Sequence, residues 1–160
     1  MLLPLTGRIT SYMEDKDTNK VAKIIILDRG KVLLLMSKHL KKLHLPGGHL
    51  VENETFNQGI KRELKEETGL TLSWCKVIFT KPNFTLYRGV AYPSAIKLSD
   101  EHDGYIWARI EDAHKYPLCN LTRRDVNGLQ KWWKVQKINK NKKNDDLKND
   151  LIPNQDHSKI

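Results

Sequence analysis

The segment GHLVENETFNQGIKRELKEETGL, residues 48–70, follows directly on Leu45-Pro46-Gly47 and crowds Glu63, Glu66 and Glu67 into five residues ahead of Gly69. A helix over Phe56 to Thr68 fits it, with Thr55 and Gln58 at capping-box spacing and Gly69 as a left-handed stop. At about 100° per residue, Phe56, Ile60 and Leu64 lie roughly 20° to 100° round from Glu63, and Glu67 lies about 40° from it. Gln58, Lys61 and Lys65 take the opposite side. Two of the three glutamates therefore share the apolar, inward stripe, an arrangement that a solvated charged helix does not need. Glu66 and Glu67 also stand in the last turn, where the macrodipole favours cations, and Glu63 is one helical step from both. A cation offsets such crowding. A hard divalent ion with oxygen ligands, Mg²⁺ or Mn²⁺, is the simplest one.

The fixed positions are Gly48, Glu54 after five residues, and then, after seven more, Arg62-Glu63-Leu64-Lys65-Glu66-Glu67-Thr68-Gly69-Leu70. This pattern resembles the full Nudix box of the Nudix hydrolase superfamily, and the resemblance extends more loosely over about the first 135 residues. It implies an α/β Nudix fold, an α/β/α sandwich with a mixed central sheet, and a hydrolase that cleaves a phosphoanhydride bond in a nucleoside diphosphate linked to another moiety. It further implies Mg²⁺, or Mn²⁺, held by Glu63, Glu66 and Glu67, with the carbonyl of Gly47 in the metal shell. Glu66 and Glu67 match the family's usual core ligands; Glu63 matches a position that binds metal or helps deprotonate water.

Length and charge agree with a pyrophosphatase of this kind. The chain has 160 residues, 39% of them hydrophobic, which suits one domain with a sizeable core. Cys75 and Cys119 make neither a disulfide framework nor a metal cluster, which favours a reducing compartment. Met1 to Leu5 is apolar but runs at once into Thr6-Gly7-Arg8, too short for a secretory signal. The longest apolar runs, Ile24 to Leu27 and Val32 to Met36, cannot span a bilayer. A soluble, cytoplasmic protein without membrane attachment is expected. The net charge is +9; from Lys137 onward six lysines face four aspartates, so +7 remains on the rest. A basic body around an acidic helix suits polyanionic ligands, small nucleotides or nucleic acid ends, without choosing between them. The lead-in Leu45-Pro46-Gly47-Gly48-His49 resembles that of general nucleotide hydrolases more than that of RNA 5′-end hydrolases, so a small nucleotide is the expected partner and nucleic acid the less expected one. Oligomeric state is left open, a homodimer included.

Along the chain, residues 1–20 read as an N-terminal arm with a short strand at Ile9 to Met13, 21–136 as the Nudix domain, and 137–160 as a disordered polar tail. Val21 to Leu27 and Lys31 to Met36 are near-continuous apolar runs around Asp28-Arg29-Gly30, a hairpin of strands covered on both faces. Strands are also expected at Leu72 to Thr80, Thr85 to Ala91, Ser94 to Leu98 and Tyr105 to Ile110, with turns at Lys81-Pro82-Asn83 and an acidic loop at Ser99 to Gly104. After Pro117 a second helix is expected, with Thr122 and Asp125 at capping-box spacing and Val126, Leu129 and Trp133 at helical intervals. Trp132 and Trp133 read as packing residues.

Around the box, Arg62 is expected to orient the carboxylates through a bidentate pair, with Glu54 completing the network. The general base is sought at Glu63, Glu67 or Glu101, whose position before Trp107 resembles a later loop that supplies an extra ligand or base in the family. Lys38, Lys41 and Lys42 line a loop that reads first as solvated, with phosphate attraction as the alternative. His39, His44 and His49 recur at five-residue spacing, which is no zinc signature, and His102 reads as a surface residue. No serine or cysteine nucleophile motif is present. For the substrate, Tyr87 stands 17 residues past the box, as in subfamilies acting on dinucleoside polyphosphates, although it reads first as a packing residue of its strand, while the proline typical of ADP-ribose hydrolases is replaced by Leu86 at 16. Dinucleoside polyphosphate or ADP-ribose is the first expectation. A nucleoside triphosphate or a non-catalytic nucleotide sensor is the alternative, and an isoprenoid diphosphate isomerase is disfavoured by the surroundings of Cys75 and Cys119.

Overall fold

A computed structural model describes residues 19–150, with side chains to residue 144. The described residues divide into two compact units, residues 19–26 with 46–99 and residues 27–45 with 100–150.

The first unit holds the box. Strand β1 (Val21–Asp28) pairs antiparallel with β4 (Gly47–His49) on one side, Lys23 opposite Gly47. On its other side it runs parallel to β6 (Phe84–Ala91), from Val21 opposite Phe84 to Ile26 opposite Gly89. Strand β5 (Leu72–Lys81) pairs antiparallel with β6, and Pro82-Asn83 turns between them. The sheet is therefore mixed. Ala22, Ile24, Ile25 and Ile26 are all buried, and because Ile24 to Ile26 are consecutive and lie on alternating faces, both faces of β1 are covered there. Helix α1 (Phe56–Thr68) buries Gly59, Ile60, Leu64, Glu67 and Thr68 and leaves Gln58, Lys61 and Lys65 exposed. Both halves of the Thr55–Gln58 capping box are formed, and Gly69 caps the C-terminus at φ +71°.

Residues 94–98 form no strand, contrary to the sequence expectation. Pro93 lies just before them, and amides of this stretch serve α1 instead of a ladder. Lys97 N–H donates to the Thr68 carbonyl at 2.9 Å, and Ser99 N–H donates to that of Glu67 at 3.1 Å. These are last-turn carbonyls that a helix leaves without internal partners.

In the second unit, β2 (Lys31–Ser37) lies between β3 (Leu43–His44) and β7 (His102–Arg109), antiparallel to both. The last residues of β1 enter β2 through the two-residue turn Arg29-Gly30, both with positive φ, where Gly30 carries no strain. Strand β7 starts at His102, three residues earlier than expected, because His102 pairs with Ser37 across a register shift.

Helix α2 (Asn120–Asp150) differs from its expected form at both ends. Its hydrogen bonding begins at the Cys119 carbonyl, which accepts Arg123 N–H, so Thr122 is inside the first turn and is not a cap. The Thr122 hydroxyl accepts the Leu45 amide at 3.2 Å instead. Residues 137–150, expected to be disordered, are helical. The lysine-rich composition that looks like a tail also has good helix propensity, and Lys137 is anchored by its bond to Glu111, which also accepts Trp133 Nε1–H at 3.1 Å. Those bonds hold the Glu111 carboxyl down to about 2. Residues 9–13 and 151–160 lie outside the described residues. Among the described residues, no helix is long and apolar enough to cross a membrane.

Candidate active site

Four carboxylates of the box, one guanidinium, one ammonium and one glycine peptide meet within the first unit. Arg62 is the hub. Its Nε and Nη2 donate to the two oxygens of Glu54 at 2.9 Å each, the bidentate pair expected from the sequence. Nη1 donates to Glu63 at 3.1 Å and to Glu66 at 3.0 Å, and Nη2 also reaches the His49 carbonyl at 3.0 Å. Glu54 Oε2 in turn accepts Val51 N–H at 3.0 Å. The guanidinium holds the Glu54 carboxyl below its ordinary range. Glu63 goes the other way: burial pushes its carboxyl up, opposed by Arg62 and, more weakly, by Lys23.

Glu67 is the buried member, 6% exposed, and its Oε2 accepts the Gly47 amide at 2.7 Å. The Gly47 carbonyl accepts a hydrogen bond from the Lys23 ammonium. Gly47 has φ +121°, and a Cβ there would stand 2.2 Å from the Ala22 carbonyl oxygen, so glycine alone lets this peptide present both its groups. A Cβ on Gly48 would stand 2.7 Å from Glu63 Oε1, and one on Gly59 would stand 3.0 Å from Glu54 Oε2 and from Leu50 Cγ. Both glycines are thus spaces kept for carboxylates.

Glu63 is held by Arg62 and cannot move freely, so Gly48→Ala should displace its carboxylate. We expect a fall in kcat of about tenfold, the scale of a small misplacement at a reacting centre. Stability should change by less than about 1 kcal/mol. Far-UV circular dichroism with steady-state kinetics checks both.

The groups expected to hold a metal, the Gly47 carbonyl and the carboxylates of Glu63, Glu66 and Glu67, offer only oxygen atoms, a chemistry that suits a hard divalent cation such as Mg²⁺ or Mn²⁺.

Glu101, in the second unit, is exposed on the turn entering β7, and its carbonyl accepts Lys38 N–H at 3.0 Å. Lys41 bonds Asp103 at 2.5 Å. His39 and His49 are exposed. Sequence reasoning missed a pairing of His44 with His102: their Nε2 atoms are 3.1 Å apart, and His102 is buried rather than on the surface. His44 Nδ1 lies 2.9 Å from the Leu45 carbonyl, which can only accept, so Nδ1 carries a proton. Lys23 was missed as well, although a lone charge inside the apolar run VAKIIIL was a readable signal. Tyr87 is 5% exposed within β6. Its ring packs in the sheet, so its place in the sequence says little about base stacking.

A family model described as NUDIX domain matches residues 17–155. An 8-oxo-dGTP diphosphatase from Proteus vulgaris is 33% identical over 73 residues, covering 42% of this chain and 65% of that protein. The matched portion is thus slightly under two thirds of that relative's length. The crystal structure of MutT NUDIX hydrolase from Burkholderia pseudomallei superposes with a TM-score of 0.59 at 22% identity, over 67% of this chain and 94% of that one. An Ap4A hydrolase of C. elegans, in a binary complex, gives 0.55 at 23% identity, over 72% and 99%. At these identities the structural likenesses speak to the fold, and they agree with the α/β architecture and mixed sheet expected from the sequence.

Proposed function

Because the chain belongs to the NUDIX domain family, we propose that it is a Mg²⁺- or Mn²⁺-dependent pyrophosphohydrolase that cleaves a phosphoanhydride bond in a nucleoside diphosphate linked to another group. The observation that carries this reading is the single Arg62 guanidinium tying Glu54, Glu63 and Glu66 into one array, beside Glu67 on the Gly47 amide. Gly47, Glu63, Glu66 and Glu67 would hold the ion. When bound, it supplies charge neutralisation at the bridging and leaving oxygens and a more acidic water.

The chain's own residues supply position and proton transfer. Glu67 is fixed by the Gly47 N–H, and Arg62 aims Glu63 and partly offsets the effect of its burial. A carboxylate oriented by Arg62 beside the ion suits a general base, and Glu63 takes that role. Arg62 acts as a positioning residue.

A nucleoside triphosphate takes first place among substrates, ahead of dinucleoside polyphosphates and ADP-ribose. Two observations support the change of order: the relative with 33% identity is an 8-oxo-dGTP diphosphatase, and Tyr87 is buried in the sheet. The test is a panel of dNTPs, 8-oxo-dGTP, diadenosine polyphosphates, ADP-ribose, nucleotide sugars and 5′-triphosphorylated RNA with Mg²⁺, with products identified. Release of pyrophosphate from a triphosphate is expected. Tight nucleotide binding without turnover of any compound would replace the enzyme by a nucleotide sensor.

A further inference from the structure

The box's charges do not balance without help. Glu54, Glu63, Glu66 and Glu67 supply four carboxylates; Arg62 bonds three of them, and Lys23 is a second cation, bonded to the carbonyl of the Gly47 peptide whose amide holds Glu67. Lys23 is placed by the sheet itself. It lies directly opposite Gly47 in the β1–β4 pairing, on a strand whose neighbours Ala22, Ile24, Ile25 and Ile26 are all buried. A lysine at such a position loses side-chain entropy and solvation, and its charge needs a specific partner. Its partner is the carbonyl oxygen of Gly47, the same atom assigned to the divalent ion under the proposed function. An ammonium and a divalent cation cannot share that oxygen at close range, because like charges repel strongly where water is scarce.

We propose that Lys23 competes with the divalent ion for the Gly47 carbonyl, an ammonium that must leave that oxygen before the ion takes it. This rests on the reading of the box as a metal site. Two consequences follow from linkage: Lys23 lowers the protein's affinity for the ion, and the metal-free protein is kept folded by a charge that the metal-loaded protein no longer needs at that place. The side chain that leaves the carbonyl remains a cation beside the box, the charge that a polyphosphate substrate seeks.

Binding of Mn²⁺ alone, without nucleotide, tests the proposal, by calorimetry and by the thermal shift that Mn²⁺ produces in wild type, Lys23→Met and Lys23→Arg. Lys23→Met keeps the length and the apolar stem. It should bind Mn²⁺ at least about threefold more tightly than wild type, with a lower midpoint when metal-free and a larger rise on saturation. Lys23→Arg keeps the charge and should bind as wild type does, which supplies a second reading should Lys23→Met fold poorly. Lys23→Met affinity equal to or weaker than wild type overturns the proposal, as does an Arg variant with markedly tighter binding. Absence of Mn²⁺ binding by wild type itself would overturn the metal reading first, and so is distinguishable from failure of the Lys23 assignment.

Discussion

Replacing Glu67 by glutamine should lower kcat by at least about 100-fold, and Glu66→Gln should do the same, since each removes a charged oxygen ligand from the clamp on the reacting phosphates. The two variants differ in every other respect. Glu67 is buried, and its Oε2 accepts the Gly47 amide, so the glutamine oxygen can keep that bond while its NH₂ must find an acceptor. That costs about 1 kcal/mol of stability. Glu66 has a side chain 57% exposed and touches Arg62 at 3.0 Å, so its replacement should leave stability nearly unchanged. A common loss of rate with unequal losses of stability would separate chemistry from folding. Near wild-type, Mg²⁺-dependent hydrolysis by both variants would remove the assignment of these residues as ligands.

What could be read from the sequence was what depends on neighbours in the chain. The α1 helix, its capping box and its glycine stop are set by residues within four positions of one another, and all three formed as expected. The Arg29-Gly30 turn between two apolar runs is equally local. The inward side of Glu63 and Glu67 followed from helical period alone, and so did the exposure of Lys61 and Lys65. Partners far apart in the chain were not legible. No period in the sequence says that β1 runs parallel to β6, or that Lys23 faces Gly47, or that His44 meets His102 across 58 residues. Thr122 failed as a cap because a long-range bond from Leu45 took its hydroxyl. Residues 94–98 failed as a strand because α1 needed their amides. The stretch 137–150 failed as a tail because lysine-rich composition is compatible with either state until an anchor such as Glu111 is known. For the candidate site, the resemblance to the Nudix box named the proposed ligands, while the closeness of Gly48 to Glu63 and of Gly59 to Glu54 depends on contacts that no local pattern carries.

Arg62→Ala should be the most damaging single change to the array, and its signature should be its dependence on pH. The side chain of Glu54 is 10% exposed and that of Glu63 15%, and both would lose their guanidinium partner together. Leaving buried carboxylates uncompensated costs several kcal/mol; because Arg62 is itself 27% exposed and water can enter, a loss of about 2 to 3 kcal/mol is expected. In the wild type, Glu54 has a depressed carboxyl, so it contributes stability above its unfolded value near 4.5 and loses it as pH falls through the folded value. Without Arg62 the burial remains and the depressing partner is gone, so Glu54 joins Glu63 above 4.5. A carboxyl raised in the folded state destabilises fully at neutral pH and recovers as pH falls through that raised value. The deficit of Arg62→Ala relative to wild type should therefore be largest near pH 7 and shrink towards pH 4.5. Activity should fall by about 100-fold, as Glu63 and Glu66 lose their aim. Arg62→Lys restores charge but not the two-pronged bond to Glu54, and should recover only part of both losses. Urea midpoints at pH 7 and pH 5, with kcat at each, decide the matter. A wild-type midpoint at pH 7, or a deficit that grows on acidification, would show that the guanidinium is not what holds these carboxylates ionised.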